Sequence, residues 1–522
     1  MIAADKNVPQ GNGEMLGVDG DVIRFAAEKC GSPLSMWFGF RILGAQGRQV
    51  TCVWERTNEV LGSGHLAAVS PVYRPLGAGS FRRVPTETCS FDKPKNQFTF
   101  QVPCESDEVH VYYCHPYGPA ELDSFLRCIE PSGCVRVTKL VDSEGGRPCK
   151  LVTLSDGRPG KRQVWTVARS HSGEVSGSFT MEGMVQGILA DKDAPSKADF
   201  HFVPFVDTDG VWQGWYGKDR VPRDFNRDYC LEPVRPETRS MLSAMGEKGD
   251  AALLCEAPFG PYRQKSCVPF FMFDLHAPTP GDPGFLVPPK LSLIRPDDWL
   301  THCRFAATLD ELSPEGCPVT FREFLGHGMT GSLSWAEPTN YDMTCSTYFY
   351  LAYGATAFTL EVPYHRSLGL TGKVLEPDDW RELGRRLAKA ILRALDGDLK
   401  SLDKAPDRPI PLLSQWHLTR TLRDATVSED GASLDVTGTS ETSRVWVALN
   451  QPFEDAASLG YRLEGTLKDC KAVLREVRGP KSLPTGRLAT SVLNLSAGEG
   501  RLSIPPQGLQ SFRVVLCVDG VQ

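Results

Sequence analysis

The sequence has no uninterrupted apolar stretch near the roughly 20 residues that a membrane-spanning helix needs, so no segment reads as a bilayer crossing. It has no excess of basic charge either: 57 Lys and Arg stand against 64 Asp and Glu, a formal net charge of −7. That leaves no electrostatic footprint for nucleic acid and no polybasic anchor for a membrane surface. The 16 cysteines include no Cys-x-x-Cys pair and no dense framework. In a chain this long they read as buried, reduced thiols, the usage of a cytoplasmic protein. Residues 1–13 are polar and turn-rich, without the apolar run of a secretory leader. No internal repeat or low-complexity tract is visible.

What is present is a globular balance, 41% hydrophobic and 23% charged, over 522 residues, more than one ordinary core holds. Three blocks are predicted. Residues 1–117 contain short β-rich runs (36–43, 49–55, 96–102 and 108–113) between Gly, Pro and charged turns, the pattern of a small β-sandwich. Pro119 then opens a short helix to about 127. Residues 118–403 alternate apolar strand-like runs (164–168, 200–206, 270–275, 358–362) with helical patterns, which argues an α/β domain around a buried sheet. The helix over 378–395 is the clearest: Asp378 and Asp379 start it, and Trp380, Leu383, Leu387, Ile391 and Leu395 share one face. Residues 404–522 return to short alternating runs (433–436, 444–449, 472–477, 501–504, 511–518), read as a second β-sandwich.

Chemistry-bearing residues gather at the ends of the apolar runs. The run 164–168 leads into Arg169-Ser170-His171-Ser172-Gly173-Glu174, where His-x-x-Glu puts an imidazole and a carboxylate on one tight turn. Two His and one Glu are an established catalytic zinc set, but the pair alone is a weak signal and also describes an ordinary hydrogen bond. The run 270–275 ends in Asp274-Leu275-His276, with His276 at a strand exit and Asp274 on the same side, an outer partner or simply a strand end. In 357–363, Glu361 alternates onto the opposite face from Phe358, Leu360 and Val362. A carboxylate in so apolar a strand needs a cation, a hydrogen-bond network or an ordinary salt bridge to offset its burial. Asp224-Phe225-Asn226-Arg227 offers a guanidinium and an amide that suit a carboxylate ligand.

Taken in this order, the pieces resemble the zinc carboxypeptidase superfamily, cytosolic carboxypeptidase-like branch, over roughly residues 36–398. His171-Ser-Gly-Glu174 matches that branch's His-Pro-Gly-Glu, Asp224-Phe-Asn-Arg227 its Asp-Leu-Asn-Arg, Asp274-Leu-His276 its Asp-Leu-His, and Thr359-Leu-Glu361 the strand of the catalytic glutamate. The resemblance implies a mixed sheet flanked by helices, with zinc held by His171, Glu174 and His276. It implies Glu361 as the base that activates water, Arg169 as an orienter of the oxyanion or an outer salt bridge, and Asn226 and Arg227 as binders of the substrate carboxylate. Asp207-Thr-Asp-Gly210 stands where the branch has Asn-Pro-Asp-Gly, and an expected arginine falls on Gly217. Lys218, Arg220 and Arg223 lie close enough to substitute for it or to shape a different pocket; Tyr341 and Tyr348 are candidates for a lid tyrosine by position alone.

The function expected is therefore zinc-dependent hydrolysis of a peptide or isopeptide bond next to a free carboxylate, with the basic cluster favouring an acidic substrate. An amidase or esterase for a small acyl amino acid would need a short closed pocket instead. A zinc-containing binding protein without turnover is the third reading, and retention of Glu361 beside a full ligand set argues against it.

Overall fold

The computed structural model describes residues 1–229, 233–245, 269–289, 291, 294, 296–313, 319–329, 344–365, 373–404 and 406, together with the backbone of the strands between 416 and 521. Its centre is a seven-stranded mixed sheet in the order Val135–Asp142, Pro148–Leu154, Ala198–Val203, Arg162–Ala168, Pro269–His276, Thr356–Glu361, Phe285–Val287. The four strands from Ala198–Val203 to Thr356–Glu361 run parallel, and the outer ones pair antiparallel. Parallel strands are covered on both faces and therefore read as continuous apolar runs. Phe271, Met272, Phe273 and Leu275 follow that rule, each at most 1% exposed.

The helix Ser176–Ala190 crosses from Arg162–Ala168 to Ala198–Val203, and Pro377–Leu395 packs against it. Their backbones nearly touch. A Cβ on Gly183 would lie 1.9 Å from Arg381 O, and one on Gly384 2.0 Å from Thr180 O, so only glycine permits this approach. The helices expected over 119–127 and 378–395 are the observed Pro119–Ile129 and Pro377–Leu395.

The N-terminal residues form two five-stranded sheets rather than the four runs expected. Phe25 and Phe40 from the two sheets meet with ring centroids 4.7 Å apart, and Phe38 stacks on Phe100 at 6.1 Å. Strands Ala3–Asp5, Glu14–Asp19 and Val22–Ala26 lie upstream of the first expected run. Glu14–Asp19 is almost wholly exposed, so it carries no alternation to read. Of the run 36–43, only Gly39–Leu43 is strand; Met36, Trp37 and Phe38 are buried but outside it. Beyond residue 416 the runs expected at 433–436, 444–449, 472–477, 501–504 and 511–518 fall on strands Leu434–Val436, Arg444–Leu449, Leu467–Glu476, Gly498–Ser503 and Phe512–Val521.

Candidate metal centre and active site

The site forms where parallel strands end. Arg162–Ala168 stops at Arg169, whose φ of 63° turns the chain sharply into the loop carrying His171 and Glu174. On the neighbouring strands His276 and Glu361 are direct register partners, both at the carboxyl ends. That is the edge at which open α/β sheets place ligands. His171, Glu174, His276 and Glu361 are all buried, between 1% and 6% exposed.

One donor atom each from His171, Glu174 and His276 lies within 4.8 Å of the others. His171 Nδ1 is 2.8 Å from Glu174 Oε1, His276 Nδ1 is 2.8 Å from Glu174 Oε2, and the two Nδ1 atoms are 3.1 Å apart. The far nitrogens are committed elsewhere: His276 Nε2 meets Asp274 Oδ2 at 2.8 Å, and His171 Nε2 meets Asp224 Oδ2 at 3.0 Å. A carboxylate accepts only, so each Nε2 carries a proton, and loss of the Nδ1 proton is what turns a lone pair inward. Neutral imidazoles in that tautomer aim two lone pairs and a carboxylate at one point, the donor set that a cation with bonds of about 2.0–2.1 Å takes up.

The electrostatics agree. Burial opposes charge on both imidazoles, yet Asp274 and Glu174 hold His276 well above its ordinary pKa, and Glu174 and Asp224 raise His171. Glu174 is buried too, and the two imidazoles hold it ionised, well below the usual carboxylate range. A pocket that draws positive charge from this many sides suits a dication, and the residues fit zinc.

Several sequence-predicted residues do not join this cluster. Arg169 was expected to orient an oxyanion or to form an outer salt bridge; the residue is 1% exposed and its guanidinium donates to Ser172 O, Tyr117 O and Ser178 Oγ. It braces the ligand turn from behind. Arg220 pairs with Asp207 at 2.8 Å over the Trp215 ring, and Arg223 faces Asp228 at 3.6 Å. Both pairs are buried, so neither arginine is presented to substrate as expected. Asn226 is buried, and its Oδ1 accepts from Cys345 N at 2.9 Å, seating the helix Cys345–Tyr353. Arg227 donates through Nη1 to Asn226 O, while its Nε is buried with no hydrogen-bond partner among the described residues. Lys218 is half-buried, and its charge bears on His171, Asp224 and Glu361. Tyr348 lies buried in its helix; Tyr341 falls outside the described residues.

Gly217 explains one departure. Its φ is +87°, and a Cβ there would sit 2.5 Å from Ser172 Oγ and 2.8 Å from Ser172 N. The arginine that the resemblance puts at this position has no room. Asp224 is the residue whose part was not foreseen: it accepts from His171, Asp219 N and Asn226 N, tying His171 to the Asn-Arg turn. Its signal was the carboxylate two places before Asn226.

Asp274 is placed to orient His276, and Ser170 Oγ lies 3.2 Å from its second oxygen. Asp274→Asn is expected to weaken zinc binding about 10–100-fold, the usual effect of losing an outer carboxylate. Competition with a metal-sensing chelator measures it, and unaltered affinity would reduce Asp274 to a strand-ending residue.

Residues 123–231 match the family model described as zinc carboxypeptidase. That stretch includes His171, Glu174, Asn226 and Arg227 but stops before His276 and Glu361. Cytosolic carboxypeptidase 2 of Xenopus tropicalis is 30% identical over 178 residues, covering 30% of this chain and 18% of the relative. The Danio rerio protein of the same name is 30% identical over 178 residues, 25% of its length, so the match spans a quarter or less of these relatives. In fold, a metallo-carboxypeptidase from Burkholderia cenocepacia superposes with a TM-score of 0.61 at 20% identity, covering 76% of this chain and 99% of that one. A metallo-carboxypeptidase from Pseudomonas aeruginosa gives 0.61 at 20% identity over 76% of this chain and all of its own. Residues 123–231 are thus similar in sequence to the zinc carboxypeptidase family and to the cytosolic carboxypeptidases, and the described fold is the one seen in metallo-carboxypeptidases, with the His–Glu–His set at the carboxyl edge of its sheet.

Proposed function

We propose that this protein is a zinc-dependent metallocarboxypeptidase that cleaves a peptide or isopeptide bond beside a free carboxylate. The observation that carries the reading is the convergence of His171 Nδ1, Glu174 and His276 Nδ1 next to a buried Glu361 whose Oε2 has no hydrogen-bond partner among the described residues. When bound, zinc supplies Lewis acidity, polarising the scissile carbonyl and making water at the site more acidic. Burial pushes the Glu361 carboxyl up to about 7, against the pull of the His276 imidazole. A carboxylate near neutrality takes a proton from water and returns it to the leaving amine. Arg227 keeps donors for the substrate carboxylate, with Asn226 fixing the turn on which it stands.

The charge of Lys218 favours substrates that carry a further acidic group. The organisation that goes with this reading is an N-terminal β-sandwich (1–117), a catalytic domain (118–403) and a C-terminal β-sandwich (404–522). A cytoplasmic location accords with the names of the curated relatives, and no described helix is long and apolar enough to cross a membrane.

Short peptides with a free C-terminus, set against their C-terminally amidated forms, test the reading. Arg227→Ala is expected to raise KM roughly 10–100-fold for the free acid, the value of a hydrogen bond to a charged group, and to leave the amide unaffected. Equal turnover of acid and amide by the native protein would overturn carboxylate anchoring.

A further inference from the structure

Among the described residues nothing hydrogen-bonds the Oε2 of Glu361, so the backbone that follows it sets where the carboxylate stands. That backbone is held at every step. Val362 N donates to His276 O at 2.8 Å, Val362 O accepts from Ser176 Oγ at 2.8 Å, and Pro363 O accepts from Trp380 Nε1 at 2.8 Å. The chain then forms a neck, closed by Leu375 N donating to His365 O at 2.7 Å.

A single side chain from the N-terminal sheets grips both sides of this neck. Arg83, on the short strand Arg82–Arg83, donates through Nη2 to Tyr364 O (3.3 Å) and Leu375 O (2.5 Å). Its Nη1 reaches Ser70 O (2.7 Å) and His365 Nδ1 (3.0 Å), and its Nε reaches Glu376 Oε1 (3.3 Å). The whole guanidinium fork is used, and the side chain is 10% exposed. Cys114 adds a weaker contact, Sγ to Tyr364 O at 3.4 Å. The planar, preorganised fork binds several carbonyls at once, which a lysine cannot imitate.

We propose that Arg83 is a positioning residue for Glu361: by clamping the neck between Tyr364 and Leu375 it fixes the strand end on which the carboxylate stands, making the N-terminal sheets part of the catalytic apparatus. The proposal rests on Glu361 being the general base. None of the metal ligands lies on the clamped segment, so zinc binding is expected to survive loss of the clamp.

The test compares Arg83→Ala, Arg83→Lys and Glu361→Gln in the full chain, with zinc content, kcat and KM measured on the same peptide. Arg83→Ala is expected to keep about one zinc per chain and KM within about twofold, while kcat falls about 10–100-fold, the scale of a small misplacement of a reacting group. Arg83→Lys should recover part of kcat. An unchanged kcat per zinc-loaded chain, with only a lower Tm, would overturn the proposal and leave Arg83 a purely structural brace; so would a loss confined to KM. Should Arg83→Ala not fold, Arg83→Lys decides, and native kcat in that variant overturns the proposal. An inactive Glu361→Gln beside a fully active Arg83→Ala sinks the clamp alone. An active Glu361→Gln sinks the base assignment and the clamp with it.

Discussion

Glu361→Gln is expected to lower kcat by about 10²–10⁴-fold, the usual contribution of a positioned general base, with zinc content and KM nearly native. The glutamine side chain has the same shape and still fits the strand end, but its amide does not accept a proton near neutral pH. Zinc should stay because the three converging donors belong to other residues. Stability should hold or rise. Burial is the largest influence on the Glu361 carboxyl and raises it despite the opposing pull of His276, so removing the charge relieves a desolvation cost that outweighs the lost attraction. Three readouts on one sample settle it: turnover at saturating zinc, metal per chain and Tm. Native turnover would remove Glu361 from the mechanism. Loss of zinc together with turnover would make it a ligand instead, and the site would need redrawing.

The parts of the fold that were legible in the sequence share a physical cause. Buried parallel strands show as unbroken apolar runs, and a polar residue at the end of such a run marks the sheet edge, which is how His276 and Glu361 stood out. Asp274 was legible for the same reason: strand periodicity of two places it beside His276, and the 2.8 Å contact follows. Exposure hides the rest. Glu14–Asp19 buries almost nothing, so no alternation betrays it. The arginines mislead for another reason. Sequence shows a cation but not the carboxylate it will meet: Arg220 finds Asp207 thirteen places back, Arg223 finds Asp228, and Arg169 finds backbone carbonyls. Gly217 is the reverse case, a residue with no chemistry whose backbone conformation and close neighbours leave no room for the arginine that the pattern suggested there.

His276→Ala tests the metal site at its most connected point. Its imidazole links Glu174 Oε2 and Asp274 Oδ2, each at 2.8 Å, and is 2% exposed. Truncation removes an inward lone pair and leaves two buried carboxylates short of a partner. Breaking such a buried pair costs about 3–5 kcal/mol, so the variant should be less stable even before metal is considered. Zinc affinity should fall by more than the about 10–100-fold expected for Asp274→Asn, because a direct ligand is lost rather than its support. Native protein should gain Tm as zinc is added, since a ligand bound only by the folded state stabilises it in proportion to the logarithm of its concentration over Kd. Glu361→Gln should keep that response, and His276→Ala should lose it along with turnover. Full metal occupancy and an undiminished zinc-dependent rise in Tm for His276→Ala would place the third ligand on another residue.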